Sequence, residues 1–585
     1  MKIIVFILEG VKVLERQEEY ELRQVLFSEM NKDIDNNFQM VYEKVSHDFG
    51  KEILYPLSII EKKFNDMSMK SLNNGLFVDN ELMISVNPLR EAVFWYIKRI
   101  MKNTGKLRYQ SVRFGEQLPG EDEFIEWVLG IYDEYSRAKL IKSIRDGASK
   151  VEIREEKNGN LGFYFPVIKD DYSKEMIYYY GLDDSLASEK ERAIFTECEK
   201  YLLDKINVFI LPQNPHMIVT YFNTLRRMTS VIDLKYFELC KERILVDLNK
   251  ISSSTLKSRY KDTEENVINS KEELASFLAL FYYLSRVDSV KRMLTFTTNY
   301  GDGKYYCVYE LPKLLALGKQ VGLSNDVMKV YIKYFSVDSC IQDGSFIEFP
   351  FIVCREKIVW IPSSIVLNDF QFSIVNGHYY KDVDFYEKDD TVSQSIVDYV
   401  VNHSKKYKNI LVKSNYLYHE REQKFNDKDL KSDIDVAIYD IKREKLLILE
   451  CKWKENVYLN HDDYLQIEDA IRKVYSKQLE KHEYYLGLGK DKISRLFDNE
   501  IDFNKITNLD ILYLFVDKRI QFHDNTKNRH ALPIFLLAHL FEKYSTEDEL
   551  DLHELFEDIR RMESKVKREK VKLLNPVKIG KYIVE

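Results

Sequence analysis

Two segments near residue 440 hold carboxylates and an ammonium group in positions that a sheet would bring together. The first reads Ser432-Asp433-Ile434-Asp435-Val436-Ala437-Ile438, and the second reads Leu446-Leu447-Ile448-Leu449-Glu450-Cys451-Lys452. Strand side chains alternate between faces, so Glu450 and Lys452 share a face with Ile448, while Leu447 and Leu449 bury the other. Charged groups ending so apolar a run are costly without partners. Between the segments, Asp440-Ile441-Lys442-Arg443-Glu444 reads as a turn, so the strands form an antiparallel hairpin that returns Asp435 to Glu450. Two neighbouring carboxylates make a hard oxygen site suited to Mg2+ or Mn2+. The backbone carbonyl of Cys451 is a candidate third ligand, and Asp433 is an alternative to Asp435, though it reads more simply as a solvated neighbour. Phosphodiester hydrolysis needs a Lewis acid on a non-bridging oxygen and an activated water. The Lys452 ammonium is placed to orient or activate that water and to offset charge in the transition state.

The flanking sequence supplies elements to hold these groups. Thr391 to about Lys406 has helical periodicity, Ile410 to Glu422 alternates as a strand, and Asp433–Asp440 and Lys445–Trp453 are the two apolar strands. Asp463 to about Tyr485 reads as a long helix and Asp510–Val516 as another buried strand. Helix, three strands, helix and strand make an α/β unit with a mixed sheet. The fold class expected for the whole chain is multidomain: a mainly α N-terminal region followed by this C-terminal α/β domain. Residues 1–335 are the helical region, with a capping box at Ser270-Lys271-Glu272-Glu273 and a helix opening at Pro88. A small β connector occupies 336–385, the α/β domain 386–525 and a helical tail 526–585. In that tail, Ser545-Thr546-Glu547-Asp548 is expected to cap a helix through Leu552, Leu555 and Ile559.

Asp435, followed fifteen positions later by Glu450-Cys451-Lys452 at the end of an apolar strand, resembles the D-x(n)-ExK signature of the PD-(D/E)XK nuclease superfamily. The phrasing SDIDVAIYD…LLILECKWK is similar to restriction-endonuclease-like members, many of them in bacterial defence or repair. The resemblance covers about 140 residues of the C-terminal part. It implies a restriction-endonuclease-like fold, Asp435 and Glu450 as metal ligands, and Lys452 as the catalytic lysine. It also implies a Gln or basic residue on the following helix, for which Gln478 is the better candidate and Gln466 the runner-up. A Glu on the first helix is common in the family. Here that helix carries Ser393, Gln394 and Ser395, with Asp398 its only interior acid, so the fourth acidic ligand is missing or displaced to Glu420 or Glu422.

Other features have simpler readings. Glu155-Glu156-Lys157, beside a Gly/Asn turn after a less apolar strand, and Glu61-Lys62-Lys63, which reads as helix with no hairpin partner, repeat the ExK pattern. Asp435 with Lys452 could be a structural ion pair. Gln478 is most simply a surface residue, Lys454 an exposed lysine, and Trp453 a core residue. His461, His482 and His523 lack zinc-ligand spacing. The basic stretch Lys565-Val566-Lys567-Arg568-Glu569-Lys570-Val571-Lys572 reads as a solvated helix face rather than a nucleic-acid contact.

Composition bounds the function class. With 45% hydrophobic, 31% charged and 13% aromatic residues and only 20 Gly and 11 Pro, the 585-residue chain is folded and multidomain. Its net charge of −8 is not that of a generally basic nucleic-acid binder. Residues 401–520, however, carry 23 Lys/Arg against 22 Asp/Glu, so the acidity lies elsewhere and any nucleic-acid contact must use local patches. The six cysteines form no CxxC, which excludes a zinc knuckle and a thioredoxin motif and suits a reducing compartment. The apolar run Ile3–Leu8 is too short for a signal h-region, and no stretch reaches 18 apolar residues, so a cytoplasmic location without membrane contact is expected. No GxxxxGK[ST] loop is present, so an ATP-driven motor would be a separate chain. The expected activity is a Mg2+- or Mn2+-dependent endonuclease acting on DNA, with RNA left open, in antiviral defence or restriction. Homo-oligomers and defence-complex partners are both open. The alternative is a catalytically inactive nuclease-fold protein that binds nucleic acid or a partner.

Overall fold

The computed structural model describes residues 16–45, 57–58, 60–62, 89–99, 121–145, 151–168, 189–206, 217–249, 251, 256, 259–260, 266–296, 305–340, 344–354, 356–366, 368, 370–379, 381, 383–384, 388–426, 428–452, 474–517, 522–524, 529–562, 566–573, 576–579 and 581–585. Two compact units are distinguished. One draws on Glu29–Ile141 and Ala187–Lys388, the other on Met1–Ser28, Lys142–Leu186 and Asp389–Glu585.

The first unit is helix-rich, as its sequence predicts. Its long helices include Glu189–Ile206, Leu234–Leu248 and Lys271–Phe296. Ser270 caps the last of these, accepting from the Glu273 N–H at 3.3 Å. Phe277 and Phe281 of that helix pack on Phe351, and Phe281 meets Trp360 edge-on. The β connector is real but differently bounded. Residues 345–350 turn, with the Ser345 N–H donating to Glu348 at 3.0 Å, and extension starts only at Ile352. Ile352–Cys354, Lys357–Trp360 and Cys307–Glu310 form a three-stranded antiparallel sheet, the last strand coming from the supposedly helical region.

The second unit carries a six-stranded mixed sheet. In chain order its strands are β1 (Ile410–Phe425), β2 (Lys428–Asp440), β3 (Lys445–Cys451), β4 (Asp510–Asp517), β5 (Phe522–Asp524) and β6 (Arg529–Pro533). The spatial order is β5-β6-β4-β3-β2-β1. β1, β2 and β3 are antiparallel neighbours, β3–β4 and β4–β6 are parallel, and β5–β6 is antiparallel. The sheet therefore runs past 525, because Arg529–Pro533 adds a parallel strand to β4. Helices α1 (Lys388–Ser404), α2 (Glu480–Gly487), α3 (Lys490–Leu496), α4 (Ile534–Lys543) and α5 (Leu552–Arg561) cover it. Val400, Leu537 and Phe556 of α1, α4 and α5 pack on Val436, Ile438, Leu447 and Leu449. Tyr485, Leu486 and Leu496 of α2 and α3 pack on Ala437, Tyr439, Leu446 and Ile448 of the opposite face. The predicted alternation in β3 is thus observed. Buried from both sides, β3 can be a continuous apolar run.

The hairpin turn is fixed by Asp440, which is fully buried. Its carboxylate accepts from the Asn409 amide at 2.9 Å, the Lys442 N–H at 3.0 Å and the Arg443 guanidinium at 3.1 Å. Of the long helix expected over 463–485, the described part is a π turn at Tyr475–Leu479 followed by α2.

The tail corrects the expectation of helix after 526. α4 and α5 are helical, but α5 is capped by Asp551, which accepts from the His553 and Glu554 N–H groups at 2.9 and 3.1 Å. Ser545–Leu550 instead closes a β-bridged turn. Beyond α5, Val566–Val571, Val577–Ile579 and Tyr582–Val584 are strands, not a helix face. They join Glu152–Glu155 and Leu161–Ile168 in a second sheet, with Val566–Val571 antiparallel to Leu161–Ile168. Val566–Val571 has valine only at its two ends around Lys567-Arg568-Glu569-Lys570, so no period-2 apolar pattern marks it as a strand.

Candidate active site

The site forms where the hairpin splits. Registered pairing of β2 and β3 ends at Val436–Leu449, so Asp435 falls opposite Glu450 one step further on. On its other side Asp435 faces Asn415, whose left-handed backbone (φ 52) interrupts β1, and the registered partners pass from Ser414–Val436 to Tyr416–Ile434. The pleat changes phase there. Ala437 and Tyr439 join the α2–α3 layer on one side of the break, and Ile434 and Leu430 join it on the other. Asp435 is thereby freed from regular pairing. Its Oδ2 accepts the Cys451 N–H at 2.7 Å, the donor that the finished ladder leaves without a carbonyl.

Glu450 is 1% exposed and Asp435 7%. Lys452 Nζ lies 2.9 Å from Glu450 Oε1 and 3.9 Å from Asp435 Oδ2. The Lys452 N–H donates to the Val516 carbonyl at 2.9 Å, so β4 anchors the end of β3. Burial and the neighbouring Glu450 carboxylate push Asp435 up to about 7, against the pull of Lys452 and the Cys451 N–H. Burial opposes the Lys452 charge, but Glu450 and Asp435 outweigh it and hold its pKa above the usual lysine value. The Cys451 side chain packs in the α1–α4–α5 layer, on the face of β3 opposite Ile448, and burial raises its thiol pKa well above normal. Its carbonyl, like its N–H, is directed by strand geometry to the Asp435 side.

A chain of polar groups stands behind Glu450. His482 Nε2 is 3.0 Å from Glu450 Oε2, and Tyr418 Oη is 2.9 Å from His482 Nδ1. Neither residue was among the predicted site residues. The usable signal was the position of His482 four residues after Gln478, which puts both on one face of a helix.

Gln478 is half-buried in the π turn before α2, and among the described residues no hydrogen bond joins it to Asp435 or Glu450. Asp433 is exposed on β2, which fits its reading as a solvated neighbour. The proposed displacement of a fourth acid to β1 is not supported. Glu420 is held by Lys492 at 2.7 Å, and Glu422 is exposed on the edge strand. On α1, Gln394 donates to Asp398 at 2.7 Å and accepts from the Asn415 amide at 3.5 Å. Trp453, Lys454, His461, Gln466 and Lys565 lie outside the described residues, as does the His523 side chain on β5. The decoys are differently placed. Glu155 ends a strand opposite Leu161, its neighbour Glu156 accepts from the Tyr164 hydroxyl at 2.8 Å and pairs with Lys570 at 3.2 Å, and Glu61 accepts the Ser363 N–H at 3.1 Å.

Among the described residues no cluster of three or more His, Cys, Asp or Glu side chains could hold a metal ion. The donor set at the hairpin is smaller: two carboxylates and one backbone carbonyl. It fits a hard cation that keeps most of its own waters, as Mg2+ does. Burial and the Glu450 carboxylate together lift Asp435 to about 7, and a cation between the carboxylates would relieve their mutual repulsion. No helix among the described residues is long and apolar enough to cross a membrane. The chain matches no protein-family model, no curated protein and no solved structure.

Proposed function

We propose that the chain is a metal-dependent nuclease of the PD-(D/E)XK type that hydrolyses phosphodiester bonds in DNA. One observation carries this reading: two buried carboxylates and an ammonium group converge at the open end of an apolar hairpin, with the Asp435 carboxyl pushed up to about 7 by burial and by its acidic neighbour. Asp435 and Glu450 would hold Mg2+ or Mn2+, with the Cys451 carbonyl as a third oxygen. When bound, the ion supplies a Lewis acid for the phosphate and lowers the pKa of the attacking water. Lys452 stays protonated beside the carboxylates. It can direct an N–H to that water and offset charge as the phosphorus becomes five-coordinate. The leucines and isoleucines of β3 hold Glu450 and Lys452 on one face and limit water access from beneath. Gln478, near the start of the helix that carries His482, is proposed to meet the nucleic-acid backbone. An antiviral or restriction role in the cytoplasm, acting alone or with a partner subunit, belongs to this same reading.

Supercoiled plasmid incubated with the full chain and Mg2+ tests the proposal. Asp435→Ala and Lys452→Ala should each lower the cleavage rate by about 100-fold or more. Cleavage that survives both substitutions would assign the activity to another site. A single-stranded RNA arm distinguishes the two nucleic acids. A second reading, an inactive nuclease fold that binds nucleic acid or a partner, is favoured by the 2.9 Å pairing of Lys452 with Glu450, which satisfies the carboxylate without a cation. Binding of DNA without cleavage under Mg2+ and Mn2+ would select it.

A further inference from the structure

We infer that His482, braced by Tyr418, is a positioning residue that fixes the Glu450 carboxylate for a divalent cation; this rests on the nuclease reading of the site. Three elements contribute: Tyr418 from β1, Glu450 from β3 and His482 from α2, all buried. The bonding order follows from donor chemistry. An ionised carboxylate only accepts, so His482 Nε2 donates to Glu450 Oε2 at 3.0 Å. With Nε2 donating, His482 Nδ1 is left to accept the Tyr418 O–H at 2.9 Å. The chain therefore runs from Tyr418 through His482 to Glu450.

The brace is held by packing. Tyr418 stacks on Tyr485, three residues after His482 on α2, with ring centroids 4.0 Å apart and planes within 9°. The Tyr485 hydroxyl meets that of Tyr416 at 3.0 Å. The imidazole therefore cannot turn without disturbing the α2–β1 contact. One oxygen of Glu450 is committed to His482, and the other, Oε1, is presented toward Lys452. With Oε2 committed to His482, Oε1, which meets the Lys452 ammonium at 2.9 Å, is the oxygen left to take a cation. Hydrogen bonds to metal-ligating carboxylates have this orienting role generally, and losing them costs about 10- to 100-fold in metal affinity.

The test is Mn2+ binding by the full chain, measured by electron paramagnetic resonance titration alongside thermal unfolding. His482→Ala should weaken Mn2+ binding by about 10- to 100-fold. His482→Gln, whose amide can still donate to Glu450, should stay within about 3-fold of the parent. Tyr418→Phe, which removes only the brace, should weaken binding by about 3- to 10-fold and serves if His482→Ala does not fold. At saturating Mn2+, His482→Ala should regain cleavage, whereas Lys452→Ala should not. Parent-like Mn2+ affinity in both His482→Ala and Tyr418→Phe would overturn the inference and leave the nuclease reading intact. Equal losses in the Ala and Gln variants would also overturn it, marking a packing role. A parent chain that binds no Mn2+, or binds it equally well as Glu450→Gln, would overturn both.

Discussion

Asp435 shows how a single residue turns fold energy into chemistry. Its carboxyl is pushed up to about 7 by burial and by Glu450, against an ordinary aspartate value of about 3.9. Between those values the folded state binds more protons than the unfolded one, so the group's contribution to stability is present below about pH 4 and is lost as pH rises through about 7. Asp435→Asn keeps an oxygen for the Cys451 N–H without that charge. Its unfolding midpoint should match the parent near pH 4 and exceed it increasingly up to about pH 7, in metal-free buffer. A constant difference across that range would contradict the assignment. Lys381, in the other unit, is a second buried group. It stands over the Tyr334 ring with Phe349 4.9 Å away, and among the described residues its amine has no hydrogen-bond partner. Burial drives its pKa well below the usual lysine value. The unfolded chain then binds the extra proton, and stability rises with pH toward about 10. Lys381→Met should stabilise the protein by about 1–3 kcal/mol near neutrality, a gain that shrinks toward pH 10 in chemical denaturation.

The elements divide by what a linear pattern can show. β3 was legible because the four consecutive apolar residues Leu446–Leu449 running into Glu-Cys-Lys have few other uses, and the Asp440–Glu444 turn followed from its polarity. The phase change at Asn415 was not legible. It depends on a left-handed backbone at one asparagine within an otherwise regular alternation, and on how two strands register across it. His482 was missed for a related reason: its role comes from α2 being folded back over β1 and β3, a long-range contact that no local spacing announces. The strand Val566–Val571 was hidden by its charge, since basic strands and basic helix faces have similar composition. Among single elements, the β2–β3 turn is the most exposed to damage. Asp440→Ala would leave the Asn409 amide, the Lys442 N–H and the Arg443 guanidinium without their shared acceptor. It should cost about 3–5 kcal/mol in urea unfolding. A loss under about 1 kcal/mol would show that water replaces the carboxylate there.

At the scale of the molecule, the unit holding the candidate site is discontinuous in sequence. It combines Lys142–Leu186 with Asp389–Glu585, and the last strands of the chain pair with Leu161–Ile168. A domain reading that stops at 525 omits β6, α4 and α5, which supply Leu532, Leu537 and Phe556 to the same apolar layer as Val436 and Leu449. Removing residues 563–585 would strip Leu161–Ile168 of its Val566–Val571 partner and leave an unpaired strand edge, so the truncated chain should melt earlier and aggregate on heating. An unchanged melting profile would mean that the second sheet does not support this unit. The account as a whole depends on a cation lodging between Asp435 and Glu450, and anomalous diffraction from crystals soaked in Mn2+ reports on that directly. A peak bridging the two carboxylates on the Cys451 carbonyl side, lost in Glu450→Gln crystals, is the predicted result. Full Mn2+ loading elsewhere, with Lys452 still paired to Glu450 and no density between the carboxylates, would contradict it.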